Sequence, residues 1–122
     1  MRSRTIRAVA VVKDLFFVAR IRETARLVGT ELTFARTPEE LEAQLRLEPP
    51  AVVIIDLTTA GWDFGAFFDT LDAASPPPPV LGFTTHVLAR QTQPFHGRCR
   101  RVLTKEALTR ELGRILAEGI AA

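Results

Sequence analysis

In Ala51-Val52-Val53-Ile54-Ile55-Asp56, five apolar residues run without a break into a carboxylate. Such a run has no polar face to give to water. It reads as a strand covered on both sides, as in the middle of a parallel sheet. Ile6–Val12 and Val80–Phe83 have the same near-continuous apolar character. Leu32–Ala35 is shorter and alternating, and Arg101–Thr104 is short and flanked by arginines. Polar surroundings discourage stray pairing, so these two segments read as edge strands.

Helical periodicity fills the gaps. After Asp14, residues Val18, Ile21, Ala25 and Val28 recur at three-and-four spacing, and Gly29 supplies a stop. Thr37-Pro38-Glu39-Glu40 is a capping box with proline at the first helical position, ahead of Leu41 and Leu45 on one face. Asp63 caps a third helix expected to bury Phe64, Phe67, Phe68 and Leu71. Residues 76–79 are all proline and form a stiff extended link. A short fourth helix is expected over Val87–Gln93. A fifth buries Leu108, Leu112, Ile115 and Leu116, starting at either Thr104 or Thr109. Strict alternation of strands and helices is the pattern of an α/β, three-layer, doubly wound parallel sheet. With the second and fifth strands at the edges, the order is 2-1-3-4-5, the flavodoxin-like order. Ligands in such sheets bind at the carboxyl edge, where the winding reverses.

Composition bounds what this sheet can serve. The 122 residues make one domain, 1–122, large enough for a single core. Cys99 is the single cysteine, which excludes a disulfide framework or a thiolate zinc site and points to a reducing, cytoplasmic setting. No apolar run has the roughly 18 residues that span a bilayer. The apolar stretch after the basic start, Arg2, Arg4 and Arg7, is too short for a secretory signal. Net charge is only +2, with basic ends and an acidic middle, so nucleic acid is not an expected partner. No glycine-rich phosphate loop, HExxH or GxSxG element is present, and the domain is not expected to be an enzyme in its own right.

What the strands deliver at their carboxyl ends is more specific. The first ends in Lys13-Asp14, the third in Asp56, the fourth in Thr84-Thr85 and the fifth in Thr104-Lys105. Two carboxylates repel unless a cation lies between them, and Mg²⁺ suits a site with few carboxylates and several waters. A lysine holds a phosphoryl oxygen as a point charge, and a threonine hydroxyl donates to another. Together these groups are the equipment for placing a phosphoryl group on a carboxylate.

Over its whole length the chain resembles response-regulator receiver domains. The family's acidic pair falls on Lys13-Asp14 and its phosphoacceptor on Asp56 within Val53-Ile-Ile-Asp-Leu57. Its following loop, Asp-Leu-x-Met-Pro-Gly-x-Asp-Gly, resembles Asp56-Leu-Thr-Thr-Ala-Gly-Trp-Asp-Phe-Gly65. Its switch threonine matches Thr84 and its lysine Lys105, at separations of 42, 28 and 21 residues along Asp14, Asp56, Thr84 and Lys105. The resemblance implies that Asp56 accepts phosphate from a histidine kinase. It also implies that Asp14, Asp56 and the Thr58 main-chain carbonyl ligate Mg²⁺, and that Thr84 and Lys105 sense the phosphoryl oxygens. The face of the fourth helix, fifth strand and fifth helix would report the change to a signalling partner, with a second copy of the chain as a further candidate. The departures are Lys13 for an acid, Ala60 for the loop proline, Glu106 for the proline after the lysine, and Val102 for the aromatic switch residue. They mark a degenerate, pseudo-receiver variant whose metal site is weakened.

Each of these residues also has a plainer role. Asp56 reads otherwise as a cap of the next helix or a solvated loop acid, a helix N-cap explains Asp14 equally well, Thr85 competes with Thr84, and Lys105 reads otherwise as a solvated lysine. A cation in a helix's first turn opposes the dipole, so Lys105 wants an anionic partner. His86 and His96 read as solvated, Cys99 as packed, and Arg98, Arg100 and Arg101 as a solvated edge. One of Phe16 and Phe17 belongs to the core and the other to the crevice mouth, while Trp62 is a contact residue or a packing anchor. The expectation is a stand-alone receiver-like signalling module with no output domain, phosphorylated on Asp56 by weakened Mg²⁺-dependent chemistry in a two-component relay. A phosphorylation-independent pseudo-receiver is the alternative. A flavodoxin-like binder of a small ligand or nucleotide is the second.

Overall fold

A computed structural model gives the structure of residues 6–120, so Arg2 and Arg4 lie outside the described residues. Strands β1 (Arg7–Val11), β2 (Glu31–Phe34), β3 (Val52–Asp56), β4 (Val80–Thr84) and β5 (Arg101–Thr104) alternate with five helices. These are α1 (Leu15–Val28), α2 (Pro38–Leu47), α3 (Phe64–Ala73), α4 (Ala89–His96) and α5 (Lys105–Glu118). The strands form one parallel sheet in the order β2-β1-β3-β4-β5. This is the α/β doubly wound sheet expected from the sequence. Every residue of β1, β3 and β4 is buried, as their unbroken apolar runs require.

Successive strand side chains point to opposite faces, so each strand feeds two cores. On one face Ala8, Ala10, Ile54 and Phe83 pack with Phe17 and Ile21 of α1 and with Leu108 and Leu112 of α5. On the other, Val9, Val11, Val53 and Ile55 pack with Leu41 of α2 and Phe67, Phe68 and Leu71 of α3. The helix starts are built by short polar side chains. Asp14 Oδ1 accepts from the N–H groups of Phe16 and Phe17 at 2.9 and 3.1 Å. Asp63 accepts from Ala66 N–H. Thr104 accepts from Ala107 N–H, which fixes the start of α5 at Thr104 rather than Thr109. Thr37 accepts from Glu40 N–H, while the Glu40 carboxylate reaches one residue beyond the cap, to Arg36 N–H.

Three expectations are corrected. The buried stripe of α1 is Phe17, Ile21 and Ala25, with Val18 only half-buried and Val28 exposed. Helix α4 runs Ala89–His96 rather than 87–93: Val87 is 88% exposed before it, and Pro94 lies inside it. Proline removes a backbone donor and reads in sequence as a terminator, yet a two-turn helix has few interior bonds to lose. Arg7, counted with the basic start of the chain, is a buried member of β1.

Candidate functional site

Strand lengths and register bring the four expected residues to one rim of the sheet. Asp56 ends β3 beside Phe83, and Thr84 ends β4 beside Thr104, with Lys105 next in the chain. Asp14 follows β1 as the N-cap of α1. Between β1 and β3 the rim holds a cavity of about 290 Å³ lined by Lys13, Asp14, Asp56, Thr58, Thr59 and Ala60. Asp56 is only 2% exposed. Its Oδ1 accepts from the Thr58 hydroxyl at 2.6 Å and from Thr58 N–H at 2.9 Å. Those two bonds converge on one oxygen and orient the carboxyl group within the rim.

Thr84 and Lys105 share the rim but are engaged away from the cavity. The buried Thr84 hydroxyl lies 3.0 Å from Thr92 Oγ1 of α4, which in turn is 2.8 Å from His96 Nε2. Thr85 is occupied separately, accepting from Leu88 N–H at 3.1 Å in the turn before α4. The ammonium of Lys105 sits over the Phe17 ring, 5.2 Å from its centroid. A cation in the first turn of α5 therefore finds an aromatic face where an anion was expected. Phe17 is the core phenylalanine and also packs on Phe83, whereas Phe16 is 62% exposed. Trp62 is a packing anchor, half-buried against Phe64 and Phe67.

No protein-family model matches the chain, and no curated protein matches it in sequence. Solved structures do match it in three dimensions. The chemotaxis response regulator CheY4 of Vibrio cholerae has a TM-score of 0.72 at 21% identity, over 93% of this chain and 100% of that one. A putative response regulator from Chloroflexus aurantiacus has a TM-score of 0.70 at 20% identity, over 94% and 100%. This chain has the receiver fold. The receiver domain of a sensor histidine kinase from Pseudomonas aeruginosa, with a magnesium ion coordinated in its active site cleft, also shares it. That match has a TM-score of 0.73 at 16% identity, over 93% of this chain and 95% of the other.

Within this receiver-like domain, sequence reasoning missed Thr92 and His96. Their spacing of four on α4 was a usable signal once a helix was continued through Pro94. His96 is half-buried and bonded, not simply solvated, while His86 is exposed as expected. Two of the three arginines on the expected solvated edge have internal partners. Arg98 pairs with Asp69 and Asp72 and lies over Phe68, and Arg101 pairs with Glu111. Cys99 packs half-buried beside Phe95.

Burial pushes the Cys99 thiol up to about 11 from an ordinary 9.0, against a smaller lowering by the backbone of Gly82. The raised folded value means its contribution to stability is complete below pH 9 and is lost as the pH rises towards 11. At pH 8 only about a thousandth of the native protein carries the thiolate. Iodoacetamide at that pH is expected to label Cys99 slowly in the native domain and rapidly in guanidinium. Equal rates would contradict this environment.

Proposed function

We propose that the chain is a receiver-like signalling module that engages its partner without a phosphoryl group on Asp56. The observation that carries this reading is Lys13 lining the same cavity as Asp14 and Asp56. A lysine in that place brings a positive charge to the rim that carries the two carboxylates, where the receiver pattern has a further acid. The donor set does not fit Mg²⁺. A dication beside an ammonium meets twice the repulsion of a unit pair, and one oxygen of Asp14 already caps α1. Among the described residues no group of three or more His, Cys, Asp or Glu is placed to hold a metal ion. Thr84 and Lys105, which would meet phosphoryl oxygens, are held by Thr92 and Phe17.

The partner on this reading is a histidine kinase or another signalling protein, met through the face of α4, β5 and α5, and the module turns over no substrate of its own. A small-ligand role is less well supported, because the cavity of about 290 Å³ is small and has no aromatic or large aliphatic side chain in its lining.

The test is incubation with acetyl phosphate or beryllofluoride and Mg²⁺, followed by intact mass and Trp62 fluorescence. No adduct and no fluorescence change are expected for the natural chain. An adduct that disappears in Asp56→Asn would overturn the proposal and establish the phosphoacceptor reading. Lys13→Asp is the companion arm: it removes a positive charge and adds a carboxylate, so Mg²⁺ is expected to perturb Trp62 in that variant alone. Unchanged Mg²⁺ affinity in Lys13→Asp would count against the role given to Lys13.

A further inference from the structure

Six large hydrophobic side chains stand exposed among the described residues, and four of them, Leu15, Phe16, Leu27 and Val28, belong to α1. The face of α4, β5 and α5 carries none of the six. On the outer side of α1 a shallow groove of about 420 Å³ is lined by Phe16, Ala19, Arg20, Glu23, Thr24 and Leu27. Phe16 and Leu27 are 62% and 69% exposed.

Residues 16, 20, 23 and 27 are spaced four, three, four, which is the seam spacing of paired helices. The order of residues along that seam is self-complementary when the helix is reversed. About a midpoint between Ile21 and Arg22, Phe16 exchanges with Leu27, Ala19 with Thr24, and Arg20 with Glu23. An apolar residue thus meets an apolar one, a small residue a small one, and a base an acid.

We propose that α1 pairs antiparallel with α1 of a second copy of this chain. A two-fold interface requires that if residue i touches j, then j touches i, and this seam satisfies that condition at every position. Parallel pairing would set Arg20 against Arg20 and Glu23 against Glu23, a like-charge arrangement that selects against it. Within one chain Glu23 is paired with Arg26, and both side chains are more than half exposed. An exposed pair of that kind contributes little, so Glu23 is free to exchange partners. Arg20, lying over the Phe16 ring at 5.4 Å, is already drawn along the seam. One helix face is a small interface, so association is expected in the weak, concentration-dependent class. The proposal stands whether or not Asp56 is phosphorylated.

Sedimentation equilibrium of the full chain, from micromolar to millimolar, tests it. A monomer–dimer equilibrium is expected. Arg20→Glu and Glu23→Arg, each alone, are expected to weaken it by about tenfold, since each places like charges opposite one another twice per dimer. The double variant Arg20→Glu/Glu23→Arg is expected to restore it, which a parallel pair or a contact elsewhere would not do. Circular dichroism should be unchanged throughout, because these side chains are exposed. A monomer at every concentration, a dimer indifferent to the single charge reversals, or a double variant without rescue would each overturn the proposal. The first of those outcomes would leave the face for a different protein.

Discussion

Arg7→Met is expected to lower the stability of the domain by about 3 kcal/mol, the loss of several hydrogen bonds to a charged group offset by the apolar gain of methionine. The guanidinium is buried at the start of β1 and donates at 2.7 Å to the carbonyl of Glu48, at 3.0 Å to the carbonyl of Gln44 and at 2.7 Å to Gln44 Oε1. Both carbonyls belong to the C-terminal end of α2, where the last turn leaves acceptors without partners. Helices often close with a left-handed glycine, as α1 does at Gly29 with φ +79°. Helix α2 instead closes at Glu48 in extended backbone, followed by Pro49 and Pro50. Arg7 supplies the missing donors from the neighbouring strand, and its positive charge complements the negative end of the helix dipole. Removing it strands two carbonyls, which is why the loss exceeds that of an ordinary surface arginine. A midpoint shift near 12 °C corresponds to this loss at about 4 °C per kcal/mol. Arg7→Lys should fall between the two, because a single ammonium lacks the planar fork that reaches both carbonyls. Urea denaturation of the three proteins checks the ranking, and a loss under about 1 kcal/mol for Arg7→Met would show that the helix end is satisfied without it.

Arg7 also marks a limit of reading structure from sequence. Apolar runs such as Ala51–Ile55 reveal a buried strand because burial on both faces tolerates few polar residues, and the sheet order followed from which strands were apolar throughout. One charged residue inside such a run carries no periodic signal, so its burial is visible only when the helix it caps is in place. The α1 stripe shows the same limit in another form. Phe17 and Val18 are adjacent, so stripes drawn through either share Ile21 and Ala25, and the structure buries Phe17 against Phe83 while Val18 stays half-buried. For the site, strand ends and separations were enough to bring Asp14, Asp56, Thr84 and Lys105 to one rim. The directions of their polar atoms were not legible. The partner of Thr84 depends on the course of α4, which Pro94 disguised. The partner of Lys105 is an aromatic face, whereas charge arguments look for an anion.

Gly82→Ala is expected to destabilise the domain by about 2 kcal/mol through overpacking in the core. Gly82 lies in the middle of β4, paired with Ile55 of β3 and Val102 of β5, where β propensity alone would favour a side chain. A methyl group there would stand 2.9 Å from Cys99 Sγ and 2.9 Å from Leu57 Cδ1. Cysteine has one short rotor, and Leu57 is itself buried, so neither yields without disturbing the layer beneath α3 and α4. The sign of the effect thus follows from close packing winning over local preference. Cys99→Ala removes one of the two obstructing atoms. In that background Gly82→Ala should lose only about half as much, a coupling near 1 kcal/mol in a double-mutant cycle followed by denaturation. If the two losses simply add, the sulfur is not what excludes the methyl group. Leu57→Ala would then have to account for the whole effect.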